Sequence, residues 1–133
     1  MSSTTFWIVV KGSSPAEAFR NAKEETRQFL EGNGEATEGY TGTILEKESY
    51  RFITDTAEGL IEQLRNEDNE EAAYYLENVV KSKDALKIAR VMAITLCEIE
   101  DRRFSDKWGP AGCLLVCDNG KDSEYIFFGW ASC

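Results

Sequence analysis

The residues best suited to bind a ligand lie in the segment DRRFSDKWGPAG. It contains Arg102, Arg103 and Lys107, the densest group of cations in an acidic chain. Trp108 adds an aromatic face on which a planar group can stack, and the glycines of the loop can expose backbone N–H groups. Cations, a stacking face and N–H donors together suit a mononucleotide or a similar anion. One hypothesis is therefore a nucleotide-like ligand at the loop from Arg102 to Gly112.

Two other interpretations of the same segment stay open. Asp101 and Asp106 form a carboxylate pair of the kind that hydrolases use, although spacing along a loop does not fix the distance that acid–base chemistry requires. The structural interpretation is that Trp108 closes one end of the core, Asp106 caps the loop, and the arginines pair with acidic helices. The sequence favours the structural interpretation over a carboxylate pair.

Other residues complete the candidate ligand site if they lie near this loop. The element YTGTI offers hydroxyl groups, and a tryptophan lies on the strand predicted to pair with the strand that follows the loop. The alternative is that the hydroxyls face solvent and that the tryptophan belongs to the core. The predicted ligand-binding residues are Arg102, Arg103, Lys107, Trp108, Tyr40, Thr41, Thr43 and Trp130.

Composition limits the function classes. The chain has 133 residues and 42% hydrophobic content, enough for a single globular domain over residues 1–133. With 24 acidic and 15 basic residues its net charge is −9, which disfavours nucleic acid and favours a basic protein surface as the partner. The absence of histidine removes the commonest general base and a frequent metal ligand, so we predict a non-catalytic protein without a cofactor.

The four cysteines predict neither a metal site nor disulfides. In CLLVC, Cys113 and Cys117 would lie about 13 Å apart on a strand that rises about 3.3 Å per residue, too far to bind one ion. The N-terminal MSSTTFWIVV has no basic start of the kind that signal peptides have, and no segment approaches about 20 apolar residues. We therefore expect a cytoplasmic protein with reduced thiols, including Cys97 and Cys133, and no membrane partner.

The first half of the chain predicts a strand, a helix and two extended segments. TFWIVVKG is typical of a strand, and a helix begins at Pro15 with Ser14 as its cap and Glu17 completing a capping box. Helical spacing of apolar residues continues to about Glu31. The following GNGEATEG comes after a helix, which disfavours a phosphate-binding loop, and YTGTILEK and SYRFI then favour extended structure.

Two helices are predicted in the middle of the chain. Asp55 and Glu58 repeat the capping pattern before a short helix, and a second helix buries a stripe that includes Tyr75 and Leu76. Between them, the acidic segment Asn66–Glu71 is either a solvated corner or an acidic docking surface. Both interpretations stay open.

The C-terminal third predicts a β-hairpin. Two apolar runs, near Cys113–Cys117 and Tyr125–Trp130, flank Asp118-Asn119-Gly120, whose residues tolerate a positive φ angle. The preceding KIARVMAITLCEIE fits both a helix and a strand; we predict a strand because it is rich in β-branched residues and the hairpin needs a neighbour. The expected fold class is α+β, a mostly antiparallel sheet with helices packed on one face.

Three motifs carry a resemblance. GYTGTILEK, SDKWGPAGC and FFGWAS resemble motifs shared by small uncharacterised proteins of phages, prophages and archaea. The chain departs from that pattern mainly in the acidic segment Asn66–Glu71. The resemblance implies a mobile element and a role in countering or regulating a host system, but it does not identify a catalytic residue.

Two functions of different class follow. The first is a non-catalytic binding module, a phage-type inhibitor or adaptor that engages a host protein through an acidic surface. The second is a binder of a nucleotide-like small molecule, or a modest enzyme, that uses the Arg102–Gly112 loop. Clustering of Lys107, Trp108, Tyr40 and Trp130 around one concave site would favour the second function.

Overall fold

A computed structural model describes residues 3–32 and 43–132 of the chain. The strands are β1 (Ser3–Gly12), β2 (Tyr50–Phe52), β3 (Ala111–Cys117) and β4 (Ser123–Ser132). The α-helices are α1 (Pro15–Gly32), α2 (Ala57–Asn66), α3 (Glu70–Val80) and α4 (Ala85–Glu98). Short 3₁₀ turns cover Ile44–Glu46 and Gly120–Asp122. Within these ranges no helix combines the length and the apolar character needed to cross a membrane.

The four strands form one sheet in the order β1-β4-β3-β2. β4 pairs antiparallel with both β1 and β3, and the short β2 runs parallel to β3. This arrangement confirms the α+β class, the mostly antiparallel sheet and the C-terminal hairpin. A register shift between Leu115 and Cys117 breaks the regular alternation at the end of β3.

The helices cover both faces of the sheet, where one covered face was predicted. On one face α1 packs against residues such as Cys113 and Phe127; on the other, α2, α3 and α4 form a larger core with Ile126 and Phe128. The reason lies in β4, whose residues from Tyr125 to Phe128 are all buried. A strand that is apolar at successive positions must be covered on both sides.

The prediction of a strand at KIARVMAITLCEIE is wrong, because the segment forms α4. Asp84 caps this helix by accepting a hydrogen bond from the backbone N–H of Lys87 at 3.1 Å. Ala89, Met92 and Leu96 are buried at helical spacing and pack into the larger core. The hairpin takes its neighbours from β1 and β2 instead.

Two helix starts differ in detail from the predicted caps. Ser14 caps α1 as expected, but the Glu17 carboxylate accepts from the N–H and hydroxyl of Ser13. Thr56, not Asp55, caps α2 by accepting from the N–H of Gly59 at 3.0 Å. Asp55 is instead paired with an arginine of the later loop, a contact that local sequence cannot reveal.

The predicted extended segment YTGTILEK is partly outside the described residues. Its last residues form the 3₁₀ turn at Ile44–Glu46, so that part of the prediction is wrong. Thr43 caps the turn, since its hydroxyl accepts from the N–H of Leu45. Lys47 follows the turn as its C-terminal cap, and the side chains of both Lys47 and Ile44 are buried. Ile44 belongs to the core on the α1 face of the sheet.

Candidate functional site

The DKWGPAG loop is held by a buried lysine that the sequence analysis did not single out. Lys47 is only 1% exposed, and its ammonium donates to the backbone carbonyls of Asp106, Lys107 and Gly109 at 3.3, 3.0 and 3.0 Å. Burial lowers the pKa of this amine from its ordinary value. Three carbonyls match the three donors of an ammonium, so the cation is accommodated by hydrogen bonds in place of water.

The loop's backbone N–H groups also bond within the fold. Asp106 accepts twice, through its carboxylate from the N–H of Trp108 and through its carbonyl from the N–H of Gly109, both at 2.9 Å. The N–H of Ala111 donates to the carbonyl of Ser49 at 3.0 Å. Asp106 therefore caps the loop as the structural interpretation predicts, and these three N–H groups are already engaged.

Arg103 is the centre of an ion-pair network. Its guanidinium makes two parallel hydrogen bonds to Asp55, both 2.8 Å, and further bonds of 2.9 Å to Asp101. These bonds hold the pKa of both carboxyl groups below the ordinary value and raise that of Arg103. Arg103 thus joins the segment before α2 to the loop. The structural interpretation predicts ion pairs for both arginines, and this contact agrees with it for Arg103 alone.

Three members of the predicted set remain on the outside of the loop. Trp108 is 68% exposed, so it does not close the core, and the ammonium of Lys107 lies 5.5 Å from its ring centroid. Arg102 is also exposed. Trp108 and Arg102 are therefore the most exposed of the predicted ligand residues that the structure describes, and Lys107 is half-buried beside the Trp108 ring.

The remaining predicted ligand residues are dispersed or outside the described residues. Tyr40 and Thr41 lie outside the described residues. The Thr43 hydroxyl accepts a hydrogen bond within its own turn. Trp130 lines a cleft beside α4, and Arg102, Arg103, Lys107 and Trp108 are absent from the described lining of that cleft.

The carboxylate pair proposed for hydrolysis has structural contacts in this fold. Asp101 binds Arg103, and Asp106 accepts from the N–H of Trp108 within its own turn. Nothing in these contacts arranges the two carboxylates around a common substrate.

A second region, beside α4, has the shape of a binding site. α4 packs on β3 and β4, and next to it a cleft of about 390 Å³ opens toward β1. Its aromatic walls come from Trp7, Phe128 and Trp130, with Glu98 and Glu100 as its carboxylates. The indole N–H of Trp130 is buried without an acceptor among the described residues.

A groove between α3 and α4 continues from this cleft. It has a volume of about 690 Å³ and shares Ile94 and Glu98 with the cleft. Tyr74 and Tyr75 line it and are 67% and 59% exposed, while Glu71 adds a further carboxylate. Ile94 is therefore an exposed apolar ridge between two concave surfaces.

We call this combined region the acidic-aromatic surface, defined by its exposed apolar residues and its carboxylates. Trp7 is 48% exposed at one end and the two tyrosines lie at the other. One cation, Arg90, lies over the Trp7 ring at 5.1 Å from its centroid. The members are Trp7, Tyr74, Tyr75, Ile94, Trp130, Glu71, Glu98 and Glu100.

Sequence reasoning missed most of this surface for identifiable reasons. Tyr75 was predicted to be part of a buried stripe, but it faces outward, and Ile94 was assigned to a strand. The interpretation of Asn66–Glu71 as a docking surface is partly relevant, because Asn69 and Glu71 line the groove. The available signal was an excess of apolar side chains on α3 and α4 beyond what one buried face requires.

The described cysteines have no arrangement for nucleophilic or metal chemistry. Burial raises the pKa of Cys97 to about 11 and that of Cys113 to about 12, so both are protonated at neutral pH. Cys97, Cys113 and Cys117 are unpaired, and residues 3–32 and 43–132 contain no group of three potential ligands that could hold a metal ion.

No protein-family model matches the chain, and no curated protein or solved structure matches it either. The resemblance to phage, prophage and archaeal proteins therefore stays a prediction from the three motifs.

Proposed function

We propose that this protein is a non-catalytic binding module that engages a basic segment of another protein through the acidic-aromatic surface. The observation that carries the proposal is the exposure of Trp7, Tyr74 and Tyr75 around concave surfaces that also present carboxylates. Tyrosine and tryptophan contribute large contact areas at little entropic cost and are enriched among residues that dominate binding energy.

The charge of the surface favours a basic partner. Glu71, Glu98 and Glu100 line the two concavities, and the whole chain has a net charge of −9. Carboxylates beside apolar contacts attract Lys and Arg during encounter and disfavour acidic competitors. The expected binding constant therefore weakens as the ionic strength rises.

Together with the resemblance, this surface supports a role as an inhibitor or adaptor encoded by a mobile element. Such a protein would act by occupying a basic site on a host protein. An acidic module without turnover suits this role, because occupancy alone blocks or recruits the partner.

Affinity capture with matched variants tests the proposal. Wild-type protein, Tyr75→Ala and Trp108→Ala are each immobilised and exposed to host lysate, and bound proteins are identified by mass spectrometry. We expect a specific partner with a basic surface that wild type and Trp108→Ala retain and Tyr75→Ala loses. Retention of every captured protein by Tyr75→Ala would contradict the proposal.

The loop remains a second candidate site because Trp108 and Arg102 are exposed and the half-buried Lys107 lies beside the Trp108 ring. A nucleotide-like anion would stack on Trp108 and pair with Lys107 and Arg102. A thermal-shift screen of nucleotides tests this candidate: stabilisation of wild type that Lys107→Ala abolishes would support it. Stabilisation that is equal in both proteins would contradict it.

A further inference from the structure

We infer that the cleft between α4 and β1 holds one arginine side chain of the bound protein. The inference rests on the proposed function and names the group that would anchor the partner. Its basis is the combination of aromatic walls and carboxylates in a single concavity, lined by Trp7, Phe128, Trp130, Glu98 and Glu100.

The shape of the cleft comes from incomplete cover of the sheet. α4 packs on β3 and β4, so the side of β1 that carries Trp7 extends beyond the helix. β4 contributes the aromatic walls Phe128 and Trp130, and α4 contributes Ala93, Ile94 and Cys97. Its volume of about 390 Å³ falls in the range of about 300–1,000 Å³ that is usual for ligand sites.

The aromatic walls and the carboxylates of the cleft favour contact with different parts of one arginine side chain. Aromatic rings favour the apolar stem of a long side chain and the flat face of a guanidinium. Glu98 and Glu100 are exposed, and their carboxylates pair best with a charged, multidentate donor. Leucine would leave both carboxylates unpaired, whereas arginine satisfies both requirements.

The molecule itself shows the compatibility of Trp7 with a guanidinium. Arg90 of α4 lies 5.1 Å from the centroid of the Trp7 ring. None of the hydrogen bonds or ion pairs found among the described residues joins Arg90 to Glu98 or Glu100. Trp7 thus already makes a cation–π contact with one guanidinium, and the carboxylates of Glu98 and Glu100 remain available for the partner's arginine.

Nuclear magnetic resonance of the indole N–H groups tests the inference within one molecule. The chain has three tryptophans, of which Trp7 and Trp130 line the cleft and Trp108 lies on the loop. The probe is an acetylated and amidated pentapeptide with arginine between two pairs of glycines. Matched peptides carry leucine or glutamate at the central position.

We expect the arginine peptide to shift the Trp7 and Trp130 signals and to leave the Trp108 signal in place. The leucine peptide should bind more weakly, and the glutamate peptide should cause no shift. Glu98→Gln combined with Glu100→Gln should weaken arginine binding about three- to tenfold, because two exposed ion pairs are lost. Glu25→Gln, an exposed carboxylate on α1, is the control and should leave the affinity unchanged.

Three results would overturn the inference: equal affinity for leucine and arginine, arginine affinity unchanged by the two cleft substitutions, or a shift confined to Trp108. Failure of this inference is distinguishable from failure of the proposed function. If the peptides leave the cleft signals unmoved while Tyr75→Ala still loses the captured protein, the arginine anchor is wrong and the binding module stands. If Tyr75→Ala retains every captured protein, the proposed function itself is wrong.

Discussion

The DKWGPAG loop and the acidic-aromatic surface use their polar and aromatic residues in opposite ways. In the loop, three carbonyls point to the buried Lys47, two N–H groups bond to Asp106, and Arg103 is neutralised by two carboxylates. On the surface, tyrosines and glutamates face solvent around two concavities. The DKWGPAG loop has the most conspicuous sequence, yet most of its polar groups are used in hydrogen bonds and ion pairs within the fold.

The difference teaches why a dense motif is an ambiguous sign of function. A tight loop needs glycines, a capping carboxylate and an internal donor merely to satisfy its backbone. A protein-binding surface needs only exposed contact area and suitable charge, which ordinary helical residues supply. Substitutions at six positions test this contrast, in order of decreasing expected effect.

The largest expected effect comes from the lysine that holds the loop. Lys47→Met would remove the ammonium that donates to three loop carbonyls, and we expect the free energy of unfolding to fall by about 3–5 kcal/mol. Urea denaturation measures the change. Lys107→Met is the control and should cost about 1 kcal/mol or less, because its ammonium lies beside an exposed ring and forms no ion pair within the described part of the chain. Equal losses in the two variants would show that Lys47 does not organise the loop.

The ion-pair network that joins the loop to α2 should give the next largest effect. Arg103→Ala leaves Asp55 and Asp101 unpaired and should cost about 2–4 kcal/mol at neutral pH. Arg102→Ala, an exposed neighbour, is the matched control and should cost about 0.5 kcal/mol or less. Denaturation of both variants beside wild type measures these losses.

The same network predicts a dependence on pH. Hydrogen bonds from Arg103 hold the folded-state pKa of Asp55 and Asp101 below the ordinary value of 3.8. The resulting stabilisation is fully present above pH 3.8 and is lost as the pH falls through the lowered values. The difference between wild type and Arg103→Ala should therefore shrink in acid. A difference that stays constant to pH 2 would contradict this assignment.

The end of the loop offers a steric test. Gly112 lies opposite Phe128 in the sheet, and an added Cβ would lie 2.6 Å from the Cζ atom of that ring. Gly112→Ala should therefore displace the phenyl ring and cost about 1–3 kcal/mol by thermal unfolding. Gly32→Ala, where an added Cβ meets nothing within 4 Å, is the control. An unchanged melting temperature for Gly112→Ala would show that this glycine is not needed for packing.

A substitution of Glu100 tests the acidic-aromatic surface instead of the loop. Glu100 follows α4 with a φ angle of 53°, a left-handed conformation that glycine adopts more readily. Glu100→Gly should raise the free energy of unfolding by about 1 kcal/mol and also weaken binding of the arginine peptide. Glu100→Gln should weaken binding without the gain in stability. Stabilisation of the Gln variant would show that repulsion between charges, and not backbone strain, is responsible.

The smallest expected effects on stability belong to the two exposed aromatic residues. Trp108→Ala and Tyr75→Ala should each change the free energy of unfolding by about 0.5 kcal/mol or less, because both side chains are mostly exposed. Only Tyr75→Ala should lose the captured partner. A loss of about 3 kcal/mol in either variant would show that the ring is part of the core.

Particular segments show why some elements were predictable from sequence. The hairpin of β3 and β4 was predicted correctly because its two apolar runs lie close together around a turn with suitable residues. α1 was predicted because Ser14, Pro15 and Glu17 mark its start within four positions. α4 was not, since Met92 and Leu96 fit both a helical and a strand periodicity and only packing against the sheet decides between them.

For the candidate sites, the local sequence pattern predicted the exposed groups of the loop but did not predict which residues lie buried or exposed elsewhere. It located the cations and Trp108 and foresaw that Asp106 would cap the loop. It did not foresee Lys47, because a lysine in sequence is far more often exposed than buried. Local sequence could not show that Tyr75 is exposed either. The apolar stripe of α3 is compatible with Tyr75 being buried or lying at an exposed edge of the helix.

The sequence by itself determined the acidic charge, the class of fold and the hairpin, because these depend on composition and on residues close together in the chain. Only the tertiary structure decided that Lys47 meets carbonyls about 60 positions away and that Arg103 meets Asp55. It alone placed Trp7 and Trp130 beside α4. The physical reason is that burial and hydrogen bonding between distant segments follow from how the elements pack, and no local pattern encodes that packing.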